Sequence, residues 1–285
     1  MSVSQEKRRG AGESVAARTP RRRRWLEFKK PIPLPRIIAL GILVWVIFFG
    51  LWEIVTSLGW ASEILLPAPL KVTEALYHLF TEENFAYDVG VSIYRIVASF
   101  GLACAVAVPL GVMTGAFPTI EAFFNPLISA WRYLPAPSFI PLLLMWLGSG
   151  DQSKLALLFI GVLWFLTTLI MDHTKAVRGE LIDTAVTLGG SRRQVLWTVV
   201  IPAVLPNIMV SMRQMMAVSW TYLVIAEIVA ATDGIGAMMM RAKRFIHVDK
   251  IMAGIIVIGI LGLFVDYLFR LAHRGLFAYL EDTER

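Results

Sequence analysis

The chain has 285 residues, 57% hydrophobic and only 17% charged, well below the roughly 25% charge usual in soluble domains. The apolar residues fall in blocks of membrane-spanning length. The net charge of +6 comes largely from basic residues massed at the N-terminus beside the first block, which points to an anionic lipid surface rather than nucleic acid.

Residues 1–36 form a polar, basic tail with Arg21, Arg22, Arg23 and Arg24 and with Pro31, Pro33 and Pro35. Its first dozen residues are expected to be disordered, and the arginine run reads as a topological anchor. The apolar segment 37–59 exceeds the roughly 7–15 residues of a signal-peptide core, so it reads as a retained span.

Length and hydropathy place six spans, at 37–59, 89–117, 119–147, 154–171, 205–231 and 251–273, each near the roughly 20 residues a bilayer requires. This predicts an all-α polytopic membrane protein. The third span carries Pro126, Pro135, Pro137 and Pro141. Between the first two, Leu66-Pro67-Ala68-Pro69 stops one element, and Val72, Ala75, Leu76, Leu79 and Phe80 recur at helical spacing. They predict a short amphipathic helix lying on the membrane or on the bundle. Cys104, the one cysteine, excludes an internal disulfide and reads as a small core residue.

Orientation follows from the lysines and arginines. With the N-terminus in the cytoplasm, eighteen fall on cytoplasmic segments and six on outer ones. Both termini, the loop 172–203 and the tail 274–285 are therefore expected inside. The outer basic patch Arg241, Lys243 and Arg244 runs against this bias. It reads as a docking surface, an electrostatic funnel for anions or a solvated loop face.

The loop 172–203 is far longer than the 2–8 residues usual between bundle helices. Leu181, Ile182, Ala185, Val186 and Leu188 predict a short helix with one apolar side. Gly189-Gly190 suits its end, and Ser191 to Gln194 matches a capping box that starts another helix. Pro202 and Pro206 bracket the entry to the fifth span. The product is an exposed helix–turn–helix with an apolar knob, suited to insertion into a groove on another protein.

Within the membrane, Arg132 stands beside the break made by Pro135 and Pro137. Irregular backbone at that depth is tolerated where it is buried in protein or lines a wet cavity. Arg132 is thus a candidate for an anion path, or else snorkels to headgroups or pins the break. Arg213, Trp220 and Glu227 lie seven residues apart on the fifth span, so they share a face that drifts about 20° per heptad. That face should avoid lipid and either lines a path or pairs with another span. Arg95 reads as structural, paired with Asp88 or a headgroup. Asp266 reads as paired within the bundle, and the many methionines as adaptable core.

There is no phosphate-binding G-x-x-x-x-G-K motif, and the four histidines show no metal-ligand spacing. An intramembrane enzyme would need an acid–base or nucleophile pair on facing spans. It and a permease driven by another energy source are the rival classes.

Asp183-Thr184-Ala185-Val186-Thr187-Leu188-Gly189, nine further residues and Val199-Val200-Ile201-Pro202 resemble the cytoplasmic coupling motif of ABC importer permeases. That motif reads E-A-A-x-x-x-G, nine residues, I-x-L-P. Gly189 and Pro202 match, while Asp183, Thr184, Val199 and Ile201 depart from the usual residues. Leu66 to Pro69, Arg132 to Pro141, Thr187 to Arg192, and Ala226-Glu227 are similar to the nitrate, sulfonate, taurine and bicarbonate branch.

The resemblance implies the type I permease fold of six spans with a cytoplasmic coupling helix, in a bacterial inner membrane. It implies ATPase coupling through Asp183, Thr184, Ala185, Leu188, Gly189, Gly190 and Pro202. The path for a small anion is expected at Arg132, Pro135, Pro137, Arg213, Trp220 and Glu227, and docking of an extracytoplasmic binding protein at Arg241, Lys243 and Arg244. Two ATPase subunits would hold ATP and Mg, this chain would hold no cofactor, and a second permease copy would complete the assembly.

Overall fold

The structure is a computed structural model that describes residues 32–278. The arginine run and most of the basic tail lie outside the described residues. The chain divides into two compact units, residues 1–50 and 51–285. Among the described residues every regular element is helical: α1 (Leu34–Ser57), α2 (Pro69–Glu82), α3 (Phe85–Ala116), α4 (Pro118–Arg132), a 3-10 turn (Ala136–Phe139), α5 (Ile140–Leu147), α6 (Asp151–Lys175), α7 (Gly179–Thr187), α8 (Arg192–Val195), a π-helical turn (Leu196–Val200), α9 (Ile201–Ala230), α10 (Ile235–Arg244) and α11 (Val248–Leu276).

Among the described residues five helices are long and apolar enough to cross a membrane. They correspond to the first, second, fourth, fifth and sixth expected spans. The expected third span is not one helix but α4, the 3-10 turn and α5. A residue before proline is pushed out of the α region, so Pro135 and Pro137 together open the chain. Pro141 is harmless, because it sits in the first turn of α5, where a missing N–H costs nothing. Helix ends also pass the expected domain edges: α1 begins inside the expected tail, and α11 runs past residue 273.

Helix α6 lies at the centre of the bundle, against α3 on one side and α9 on another. Leu158, Val162, Leu166 and Ile170 recur at four-residue steps along it and are fully buried. Small residues let the backbones close up. A Cβ on Gly111 would lie 2.7 Å from the Ile170 Cβ, and one on Gly115 would lie 2.5 Å from the Thr174 Cβ. Gly161 likewise abuts the Tyr222 ring of α9 at 2.6 Å from such a Cβ. Lipid is as apolar as the core, so this close packing, rather than hydrophobic burial, holds spans together.

The expected amphipathic helix is α2. Its Val72, Ala75 and Leu79 are buried, and Val72 and Leu79 pack with Phe85, Ile235, Met238, Ala253 and Val257 in a second apolar cluster that joins α2, the start of α3, α10 and α11. Cys104 packs half-buried against the main core.

Candidate functional site

The loop between α6 and α9 is a capped helix–turn–helix. Helix α7 ends with Leu188 N–H donating to Thr184 O at 3.0 Å and Gly190 N–H donating to Ala185 O at 3.0 Å. Gly189 sits at φ +88°, a conformation glycine adopts at little cost. A Cβ on Gly190 would meet Ala185 O at 2.7 Å, so the two glycines are needed for different reasons. Ser191 and Gln194 then close a reciprocal capping box, with Ser191 N–H donating to Gln194 Oε1 at 2.9 Å.

From Arg192 the helix runs unbroken to Ala230. The π-helical turn 196–200 lies one residue before Pro202. There Ile201 N–H reaches back five residues to Leu196 O, which widens the coil where a proline lacks its own N–H and crowds the preceding turn. The loop's apolar side chains are offered outward. Leu188 is 84% exposed, Leu181 and Val186 are also exposed, and Ala185 is half-buried.

A second cluster ties α3, α6, α9 and α10 together. The Arg95 guanidinium donates through Nε at 2.8 Å and Nη2 at 2.6 Å to Asp151 Oδ1. Its Nη1 donates to Glu227 Oε1 at 2.9 Å and to Asp233 O at 2.7 Å. Glu227 has no exposed surface, and it also accepts from Ser92 Oγ at 2.7 Å and from Gly236 N–H at 2.9 Å. The first amides of α10 complete the arrangement: Gly234 N–H donates to Asp88 Oδ1 at 2.7 Å and Ile235 N–H to Ser92 Oγ at 3.0 Å. Arg241 closes it by pairing with Asp88. The N-terminus of α10 is thus seated on side-chain oxygens, where its dipole favours negative charge.

Residues 107–277 match the family described as "Binding-protein-dependent transport system inner membrane component". The chain belongs to this family. It is 32% identical to the taurine transport system permease protein of Escherichia coli over 86% of this chain and 90% of that protein. It is 27% identical to a putative aliphatic sulfonates transport permease protein of Bacillus subtilis, over 86% and 88%, and 25% identical to a nitrate import permease protein of Synechocystis, over 89% and 93%. Among solved structures, the fold is similar to an amino acid ABC transporter at TM-score 0.56 and 17% identity, covering 70% of this chain and 97% of that one. It is also similar to an inward-facing methionine ABC transporter at TM-score 0.55 and 15% identity, covering 67% and 94%. The chain is the permease of an ABC importer, a multi-pass inner-membrane transport subunit and not an enzyme.

In this permease the three heptad-spaced residues of α9 meet different surroundings. Glu227 is enclosed in the Arg95 network. Trp220 is buried in the main core, with its Nε1 unpartnered. Arg213 faces α11, its Nε 3.3 Å from Asp266 Oδ1. Arg132 ends α4 and lies over the Tyr133 ring, 5.2 Å from its centroid. Pro135 and Pro137 frame the buried Ala136. Of the basic residues at 241–250, Arg241 is held by Asp88 and Lys250 pairs with Glu83. Lys243 and Arg244 are the exposed basic residues of the patch without an ion-pair partner among the described residues.

Arg95 takes Asp151 and Glu227 rather than the expected Asp88 or a headgroup, and Asp88 goes to Arg241. Sequence reasoning does not find Asp151 and the Asp233 carbonyl as partners of Arg95, nor Ser92 as a partner of Glu227. Lys154 is buried too, donating to Ser149 O at 2.8 Å and to Gly150 O at 3.2 Å. The signal for Asp151 and Lys154 was weak but present: charged residues in the first turn of an apolar helix, too close to the membrane to stay unpaired.

Proposed function

We propose that this permease imports small solutes with an oxyanion group, of the nitrate, sulfonate, taurine or bicarbonate type, by alternating access. Two separate ATPase subunits, holding ATP and Mg, drive it. A second copy of this chain completes the path within the lipid bilayer, and an extracytoplasmic binding protein delivers solute at the face of α10 that carries Arg241, Lys243 and Arg244. Both termini and the loop 172–203 lie in the cytoplasm, and the similarity to taurine, sulfonate and nitrate permeases supports the solute class.

One observation carries the reading: an apolar knob, centred on Leu188, stands on a capped loop that continues without a break into α9. A push on α7 from an ATPase groove therefore reaches the middle of the bundle through one helix. Asp183, Thr184, Ala185, Gly189, Gly190 and Pro202 shape that knob and its junction. Arg132, Pro135, Pro137, Arg213, Trp220 and Glu227 belong to the path or to the elements that frame it.

The test is co-purification with the ATPase that accompanies this permease. The wild-type chain retains the ATPase, and Leu188→Asp loses it while keeping its helical content and its yield in the membrane. Equal retention by the variant contradicts the reading.

A further inference from the structure

We propose that Arg213, Asp266 and Arg270 form an anion-exchange site, in which a monoanionic solute with an oxyanion head replaces Asp266 on the Arg213 guanidinium. The inference rests on the anion-permease reading above and adds where the anion is held.

Arg213 lies 12 residues from the start of α9 and 17 from its end. At about 1.5 Å per residue that is about 18 and 26 Å, inside the hydrocarbon layer of about 30 Å. Asp266 faces it from α11. Both side chains keep 34% of their surface open. Charges at this depth do not face lipid; they face protein or a water-filled cavity.

The charges do not balance. Asp266 Oδ2 accepts from Arg270 Nε at 2.7 Å, while its Oδ1 stands 3.3 Å from Arg213 Nε. Two guanidinium groups therefore share one carboxylate and leave one positive charge uncompensated. Among the described residues nothing accepts from the two terminal nitrogens of Arg213. Those nitrogens form the planar fork that suits an oxyanion.

The Arg95 cluster differs on each count. Its guanidinium is 3% exposed, each of its nitrogens has an acceptor, and its cations are met by Asp151, Glu227 and Asp88. It is closed to a solute.

Binding one monoanion cancels the residual charge at Arg213. The long Arg213–Asp266 contact is the one to break, because Asp266 stays neutralised by Arg270 one turn away. When the anion leaves, the carboxylate returns, so the empty site is never a bare cation in the membrane. No covalent step is involved.

The experiment is equilibrium dialysis of labelled ethanesulfonate, with nitrate as competitor, on the purified permease–ATPase complex without binding protein. Wild-type complex binds ethanesulfonate, and nitrate displaces it. Asp266→Asn removes the competing carboxylate and binds at least about tenfold more tightly, the scale of one charged hydrogen bond. The double variant Arg213→Gln/Asp266→Asn leaves no unpaired carboxylate to disturb folding, and it binds at least about tenfold more weakly than wild type. It still co-purifies with its ATPase and keeps the helical content of wild type. Absence of binding to wild type, no gain in Asp266→Asn, or wild-type binding by the double variant overturns the proposal. Failure of the permease reading is seen separately, as loss of ATP-driven uptake by the unmutated complex.

Discussion

The guanidinium of Arg95 on α3 lies 2.9 Å from the carboxylate of Glu227 on α9, and neither side chain is open to solvent. This pair, with Asp151 and the first amides of α10, sets the position of α10 relative to the spans. Removing one partner of a buried pair strands the other, at a cost of about 3–5 kcal/mol. Glu227→Ala and Arg95→Met should therefore each lower the melting temperature of the purified complex sharply. Glu227→Ala/Arg95→Met should lose less than the sum of the two, because the coupled residues do not add. Additive losses in a thermal melt would show that the two side chains act independently.

Gly234 takes φ +111° directly against Glu227. A Cβ there would collide with the Glu227 carboxylate and stand 2.8 Å from the Arg95 Nη1. Gly234→Ala should cost about 1–3 kcal/mol from the backbone conformation alone, with the collision added. Gly259→Ala, where a Cβ meets nothing, is the matched control and should melt like wild type.

Gly111 and Gly115 bring α3 onto α6. Gly111→Leu should push the two helices apart and reduce the yield of folded protein from the membrane, since its Cβ alone already crowds Ile170 and Thr167. Protease resistance of the membrane-embedded chain measures this, and an unchanged digestion pattern would refute the packing account.

Lys243 and Arg244 are the exposed charges of the α10 patch without an ion-pair partner among the described residues. Lys243→Glu/Arg244→Glu should weaken stimulation of ATP hydrolysis by liganded binding protein, with basal hydrolysis unchanged. The loss should shrink as salt is raised, because screening at about 1 M confines exposed charges to about 3 Å. Wild-type stimulation in that variant would leave the patch a solvated surface.

The parts of this architecture that depend on local pattern were legible in the sequence. Apolar length gave the spans, and Gly189, Ser191 and Gln194 gave the turn and cap in the places where they occur. The parts that depend on distant pairing were not. Arg95 finds Asp151 56 residues away and Glu227 132 residues away, and no periodicity reports such a partner. The heptad spacing of Arg213, Trp220 and Glu227 puts them on one face, which by spacing alone either lines a path or pairs with another span. A long helix changes neighbours with depth, so that face meets α11 at Arg213, the core at Trp220 and α3 at Glu227. The broken third span was visible as four prolines, but not how far Pro135 and Pro137 together would open the helix.

The central claim is that the Leu188 knob couples ATP hydrolysis to movement of solute. The direct measurement is the ratio of solute imported to ATP hydrolysed, in proteoliposomes holding the permease, its ATPase and its binding protein. Wild type should give a fixed ratio. Leu188→Ala trims the knob while leaving the capping box intact, so it should keep some hydrolysis yet import several-fold less solute per ATP. A ratio unchanged from wild type would contradict the account.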